Sequence, residues 1–169
     1  MSDENIATAS RFSNNNADWI AGDYLRFQHG VFDLILCERS LHLFPYPDAE
    51  IAAKLASDLA PDGIAAISIP ASCACTFIRI KLIRALRRLR SPFLDNLIVH
   101  VMRLLRPQLD LATLRDRLPY LYALPRRIDS SEFRATLSMA GLEVRQTFRV
   151  FGCGLSAAPH SLMILAKLV

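Results

Sequence analysis

The feature that most limits the fold of this chain is a pair of apolar runs on either side of a helical pattern. Phe32-Asp33-Leu34-Ile35-Leu36-Cys37 is almost continuously apolar, the pattern of a parallel strand buried on both faces. Pro47 and Asp48 then open a segment in which Ile51, Ala52, Leu55 and Leu59 share one helical face. Ile64 to Ile69 is the second apolar run, stopped by Pro70. Between helix and second run, Ala60-Pro61-Asp62-Gly63 has proline second and glycine fourth, which suits a type I turn. Strand, helix and strand joined by short links form the unit of a parallel α/β sheet.

Ahead of this unit, Ser2-Asp3-Glu4-Asn5 before Ile6, Ala7 and Ala9 predicts a short capped helix. Ala17 to Ala21 predicts a short strand ending at Gly22-Asp23. Beyond Pro70 the pattern becomes helical three times. The first helix, from Thr76 to Arg90, places Ile78, Leu82, Ala85, Leu86 and Leu89 on one stripe. The second runs from about Phe93 to Arg106, and the third from Asp110 to Leu118, with Pro92, Pro107 and Pro119 as stops. Asp129 followed by Glu132 resembles a capping box for a helix that puts Phe133, Leu137 and Ala140 on one face. Gly141 suits the left-handed residue past its end. Leu142 to Val150 alternates like a strand with one wetter face, Gly152-Cys153-Gly154 reads as a turn, and Ser161 to Val169 is an apolar closing strand.

Composition narrows the function classes. With 169 residues, 52% of them hydrophobic and 21% charged, the chain can build one domain core. No apolar run reaches the roughly 18 residues of a membrane-spanning helix, and Met1 to Asn16 lacks the apolar stretch of a signal peptide. Cys37, Cys73, Cys75 and Cys153 are sparse, as expected of free thiols in a reducing cytoplasm. Cys73-x-Cys75 lacks partner ligands nearby, and His29, His100 and His160 have no carboxylate or cysteine at ligand spacing, so no metal site is expected. Thr76 to Arg106 holds eight basic residues and one acidic, hence +7 in a chain of net +4, which leaves −3 elsewhere. The basic helix at 76–90 admits three readings: a solvated face over a core stripe, peripheral contact with an anionic membrane surface, or nucleic-acid binding. The last is disfavoured because aromatic residues are not interleaved with the arginines.

Taken in order, four motifs resemble the second half of the class I S-adenosylmethionine-dependent methyltransferases that act on small molecules, of the type 11-like kind. Gly22-Asp23 after a strand looks like their adenine-side motif. Phe32 to Cys37, continued by Glu38-Arg39-Ser40-Leu41-His42, is similar to their fourth-strand motif. Leu59-Ala60-Pro61-Asp62-Gly63-Ile64 looks like the turn before their fifth strand, with Asp62 in place of a usual glycine. Ala140-Gly141-Leu142 is similar to the start of their sixth strand. Ser2, Ile6 and Ala9 look like the segment that follows the family's ribose-binding acid, slightly stretched. The first strand and its Gly-x-Gly loop, whose bare backbone approaches the cofactor at a helix N-terminus, have no counterpart here.

The resemblance implies an α/β fold: an incomplete Rossmann-like sheet, strands 3 to 7 of seven with the last antiparallel, and a helical insertion after the fifth strand. The whole of 1–169 would be one partial methyltransferase domain, with 71–127 as the lid over the acceptor. In the family's sheet order, 3-2-1-4-5-7-6, the strands at Phe32, Ile64, Leu142 and Ser161 are expected to hold together, while the strand at Ala17 pairs with the Phe32 strand or stays loose. S-adenosylmethionine is the implied cofactor and a small, lipophilic molecule the implied partner. Asp23 would accept from the adenine amine, with Tyr24 packing on the ring, and Cys37 and Glu38 would meet the methionine and ribose portion. Asp33 is expected to be structural. His42 has two readings, a general base for a substrate hydroxyl or a partly exposed helix histidine with no catalytic task. Phe77, Phe93 and Tyr122 are candidates for lining the acceptor site. Two functions follow: methyl transfer to a small acceptor, or a truncated, non-catalytic remnant that binds cofactor weakly.

Overall fold

In a computed structural model of the chain, the structure describes residues 20, 22–28, 30–150 and 159–168. The helix expected from Ser2, the strand expected at Ala17 to Ala21 (Ile20 apart) with its pairing, and the Gly152-Cys153-Gly154 turn lie outside the described residues. The first apolar run is strand β1, Phe32–Cys37, and it is followed by helix α1, Asp48–Asp58, and strand β2, Leu59–Pro70. β1 and β2 pair in parallel, so the strand–helix–strand unit forms as the pattern predicts. Strands β3, Leu142–Val150, and β4, His160–Lys167, complete a four-stranded sheet of order β1-β2-β4-β3, in which β4 runs antiparallel to both neighbours. This is the order expected of the four strands.

Three helices interrupt the sheet: α2, Ala74–Arg88, α3, Pro92–Leu105, and α4, Leu111–Leu121. Helix α5, Ser131–Met139, leads back into β3. Side-chain oxygens cap three of these helices. Ser91 accepts from Leu94 N at 3.2 Å with Pro92 in the first turn, Asp110 from Thr113 N at 2.7 Å, and Ser130 from Phe133 N at 3.2 Å. The cap of α5 is thus Ser130, one residue later than the expected Asp129. Asp129 instead grips Arg134 at 2.7 and 3.0 Å, and Arg134 reaches on to Thr147 of β3 at 3.1 Å. Gly141 takes φ +82°, the left-handed conformation that ends α5.

Two further expectations change. Helix α4 runs through Pro119 to Leu121 rather than stopping before it. The end tightens through Tyr122 N to Pro119 O at 3.2 Å, and buried Tyr122 donates to Asp95 at 2.5 Å, so anchoring outweighs one lost backbone bond. Ala60 to Gly63 belongs to β2, although it does bulge. Phe32 faces Leu59 and Leu34 faces Ile64, so a short step on β1 meets a long one on β2. A Cβ on Gly63 would come within 2.9 Å of Phe32 O and of Leu59 Cδ1, and this is why the bulge closes on glycine.

The core lies on one face of the sheet. Ile35 and Cys37 of β1, Ala65, Ile67 and Ile69 of β2, and Met163 and Leu165 of β4 pack against Ile51, Ala52 and Leu55 of α1 and Phe133 and Leu137 of α5. The opposite face is covered only in part among the described residues: Ser68 and Ala166 are buried, whereas Leu34 is 64% and Leu36 69% exposed, and Ile64, Phe148 and Val150 are exposed as well. The expectation that β1 is buried on both faces therefore fails, because α1 and α5 cover the same side. A second, smaller core joins the inserted helices through Val99, Leu114, Leu118 and Tyr122, with Leu86, Ile98 and Met102 packed against it.

Candidate functional site

The carboxyl ends of β1 and β2, where open α/β sheets place their ligands, carry two groups of polar residues. Beyond Cys37 the chain turns sharply. Cys37 Sγ lies 3.1 Å from Ser40 Oγ, and Arg39 adopts φ +51°, a left-handed conformation uncommon outside glycine. The turn leaves Glu38 exposed, with Arg39 at 3.8 Å as its ion partner. Asp23 caps a single 3-10 turn, Tyr24–Arg26, by accepting from Leu25 N at 3.2 Å. Its other oxygen accepts from the Tyr46 hydroxyl, which pushes the Tyr46 phenol up, and Arg26 stands 3.8 Å away.

Tyr24 packs toward the α1 core, 6.2 Å from the Phe44 ring and under the Lys54 ammonium at 5.5 Å. Burial, and then the nearby Asp58 carboxylate, push its phenol up. Tyr24 and Cys37 pack against the same core, so the structure gathers Asp23, Tyr24 and Cys37 into one neighbourhood, with Glu38 next along the chain. Asp33 is exposed on β1.

His42 belongs to a second group. It sits on a 3-10 turn, Leu41–Leu43, and borders a cavity of about 70 Å³ lined also by Leu43, Pro70, Thr76, Arg79, Tyr120, Ala123 and Pro125. The walls therefore come from the end of β2, the first turns of α2 and the end of α4. Of the proposed lining residues Phe77, Phe93 and Tyr122, none borders this cavity. The His42 and His160 rings lie 6.0 Å apart, and each has a buried Nδ1 without a hydrogen-bond partner. Burial pulls His42 down to about 4, helped by His160, Arg79 and Arg127. Burial also lowers His160, followed by Arg39 and Arg79. Both imidazoles are neutral at physiological pH.

The segment that carries His42 is held by Arg127, which sequence reasoning did not single out. Its guanidinium is buried and donates to Leu41 O at 3.1 Å, to Phe44 O at 2.9 Å and to Tyr46 O. Its Nε stands 2.6 Å from Asp48 Oδ1 at the start of α1, a close ion pair out of line for a hydrogen bond. Burial lowers the Arg127 pKa while Asp48 opposes the shift. Pairing a buried charge in this way avoids the cost of leaving it alone. Among the described residues no group of three or more His, Cys, Asp or Glu could hold a metal ion, and Cys37, Cys73 and Cys75 are free thiols.

No family model and no curated protein matches the sequence significantly. Solved structures do match the fold. PKMT2 from Rickettsia typhi superposes with a TM-score of 0.66 at 15% identity, over 99% of this chain and 42% of that one. The same protein in complex with AdoHcy gives 0.62 at 14% identity, over 98% and 43%. The N-methyltransferase NodS from Bradyrhizobium japonicum WM9 gives 0.56 at 13% identity, over 99% and 70%, and the mitomycin 7-O-methyltransferase MmcR gives 0.52 at 17%, over 96% and 37%. The chain thus spans less than half the length of PKMT2 and MmcR. With its parallel β1–β2 pair, antiparallel β4 and helical insertion, this chain has the class I methyltransferase fold in an incomplete, four-stranded form.

Proposed function

We propose that this chain supplies the acceptor side of an enzyme that transfers a methyl group from S-adenosylmethionine to a small, lipophilic molecule. The observation that supports this best is the His42–Arg79 cavity. It lies beyond the carboxyl end of β2 and beside the inserted helices, so that residues 71–127 act as a lid over an acceptor. Bound S-adenosylmethionine supplies an electrophilic methyl group on a sulfonium, and no protein nucleophile is required.

The residues present fit the adenosine side of that cofactor in part. Glu38 is exposed at the strand end with oxygens free to accept from hydroxyl groups. Asp23 retains acceptor capacity beyond its bonds to Leu25 N and Tyr46. Tyr24 and Cys37 would form the wall between them. A glycine-rich backbone cradle for the methionine end is not among the sequence motifs.

A neutral imidazole with a pKa near 4 is a weak base at physiological pH, since general bases work best near the operating pH. His42 would therefore orient the acceptor by hydrogen bonding rather than deprotonate it early. Alignment is the main contribution a protein can make to an in-line displacement. Arg79, in the same cavity, would draw an acceptor that carries negative charge.

The rival reading is a non-catalytic protein that keeps the fold but holds cofactor weakly. Calorimetric titration of the chain with S-adenosylmethionine separates the two. Saturable micromolar binding supports the enzyme; no heat at millimolar cofactor supports the remnant.

A further inference from the structure

Helices α2 and α3 present apolar side chains to solvent, on α2 where a core-facing stripe was expected. On α2 the buried residues are Thr76 and Ile83, while Ile78, Leu82 and Leu89, three members of the predicted core stripe, are exposed. On α3 only Val99 is buried, and Phe93, Leu97, Val101 and Leu104 form an outward stripe, with Phe93 79% and Leu104 82% exposed. Exposed apolar patches of this kind mark contact surfaces. The residues between them are cationic: the segment from Thr76 to Arg106 carries +7. Among the described residues Lys81, Arg84, Arg87 and Arg88 are in no ion pair, whereas Arg90 is held by Asp95 at 3.2 Å and by the Tyr122 ring at 4.8 Å.

We propose that α2 and α3 together form a docking surface for an anionic lipid bilayer, with the apolar stripes at the acyl boundary and the free cations among the headgroups. An amphipathic helix with Phe and Leu on one face and Lys and Arg beside them binds in the interface plane in this way. Charge decides against the main alternative occupant, because a second copy would bring Lys81, Arg84, Arg87 and Arg88 against the same four cations. No described helix is long and apolar enough to cross a membrane, and the contact needs none. The proposal does not depend on the methyltransferase reading; joined to it, the surface would place the lid against the phase where a lipophilic acceptor dissolves.

The test is co-sedimentation of the full chain with phosphatidylcholine vesicles, with and without phosphatidylglycerol, at low and high salt. The chain is expected to pellet with the anionic vesicles and to be released by salt. Arg84→Gln and Arg88→Gln should each weaken binding roughly fivefold. Combined Phe93→Glu and Leu97→Glu should weaken it more than about tenfold, with an unchanged circular dichroism spectrum because both side chains are exposed. Equal binding to both vesicles, binding to neither, or full binding by the Phe93→Glu/Leu97→Glu variant overturns the proposal. So does a dimer in sedimentation equilibrium that Leu97→Glu dissociates while vesicles fail to pellet the chain, since a second copy would then cover this face.

Discussion

The β1 end of the sheet's outer face and the outward stripes of α2 and α3 both expose apolar side chains, yet they differ in their surroundings. On the sheet, Leu34 and Leu36 are exposed on β1, the edge strand among the described residues, and Ile64 is exposed on the adjoining part of β2. Among the described residues nothing pairs with that edge, and a strand edge with an apolar face calls for another strand and a packed layer. On α2, Ile78 and Leu82 are bordered by Lys81 and Arg84, which are in no ion pair among the described residues; such cations suit lipid headgroups and repel a copy of themselves. Apolar exposure shows that something belongs there; the charge around it decides what.

The comparison breaks first if the two surfaces are covered in solution. Ile67, fully buried on β2, and Leu36, exposed on β1, give the sharpest contrast. Ile67→Ala should cost about 2–5 kcal/mol, whereas Leu36→Ala should stay within about 0.5 kcal/mol, both read by urea denaturation. Similar costs would mean that the outer face is packed.

Arginines offer the same contrast between inside and outside. Arg127→Met strands the Leu41 and Phe44 carbonyls and should cost on the order of 3 kcal/mol, while Arg84→Gln should leave the denaturation midpoint in place and change only vesicle binding. Leu34→Glu with Leu36→Glu serves as the cross-control: it should leave vesicle binding at the wild-type level, and a tenfold loss would show that the sheet face, not the helices, meets the lipid.

A further contrast is in pH. His42 is held at about 4 in the folded state against 6.5 unfolded, and His160 is lowered too. The unfolded chain therefore takes up protons first. Stability should be unaffected by this pair above about pH 6.5 and fall as pH drops from there toward 4. His42→Asn should flatten that part of the profile in equilibrium denaturation; an unchanged slope would mean that His42 is solvated.

Local pattern was enough for the strand–helix–strand unit and the left-handed Gly141, because each rests on periodicity or on a backbone demand that only certain residues meet; the order of the four strands followed from the family resemblance instead. Local pattern was not enough for the face that an element buries. The stripe at Ile78 and Leu82 reads as core, but α2 is oriented by Leu86 joining the small cluster around Val99 and by Thr76 and Ile83 turning inward. The same reason hides half of the candidate site. His42 is visible beside the β1 motif, whereas His160, Arg79 and Arg127 reach it from other parts of the chain and leave no local signal. Asp129 and Ser130 show the finer limit: two good caps stand side by side, and the one that loses finds Arg134.

The central claim is that this incomplete methyltransferase fold still serves S-adenosylmethionine, and calorimetric titration of the intact chain tests it most directly. The account predicts saturable micromolar binding, competed by S-adenosylhomocysteine and weakened by Glu38→Gln. No heat at millimolar cofactor would contradict it and leave the fold without the cofactor.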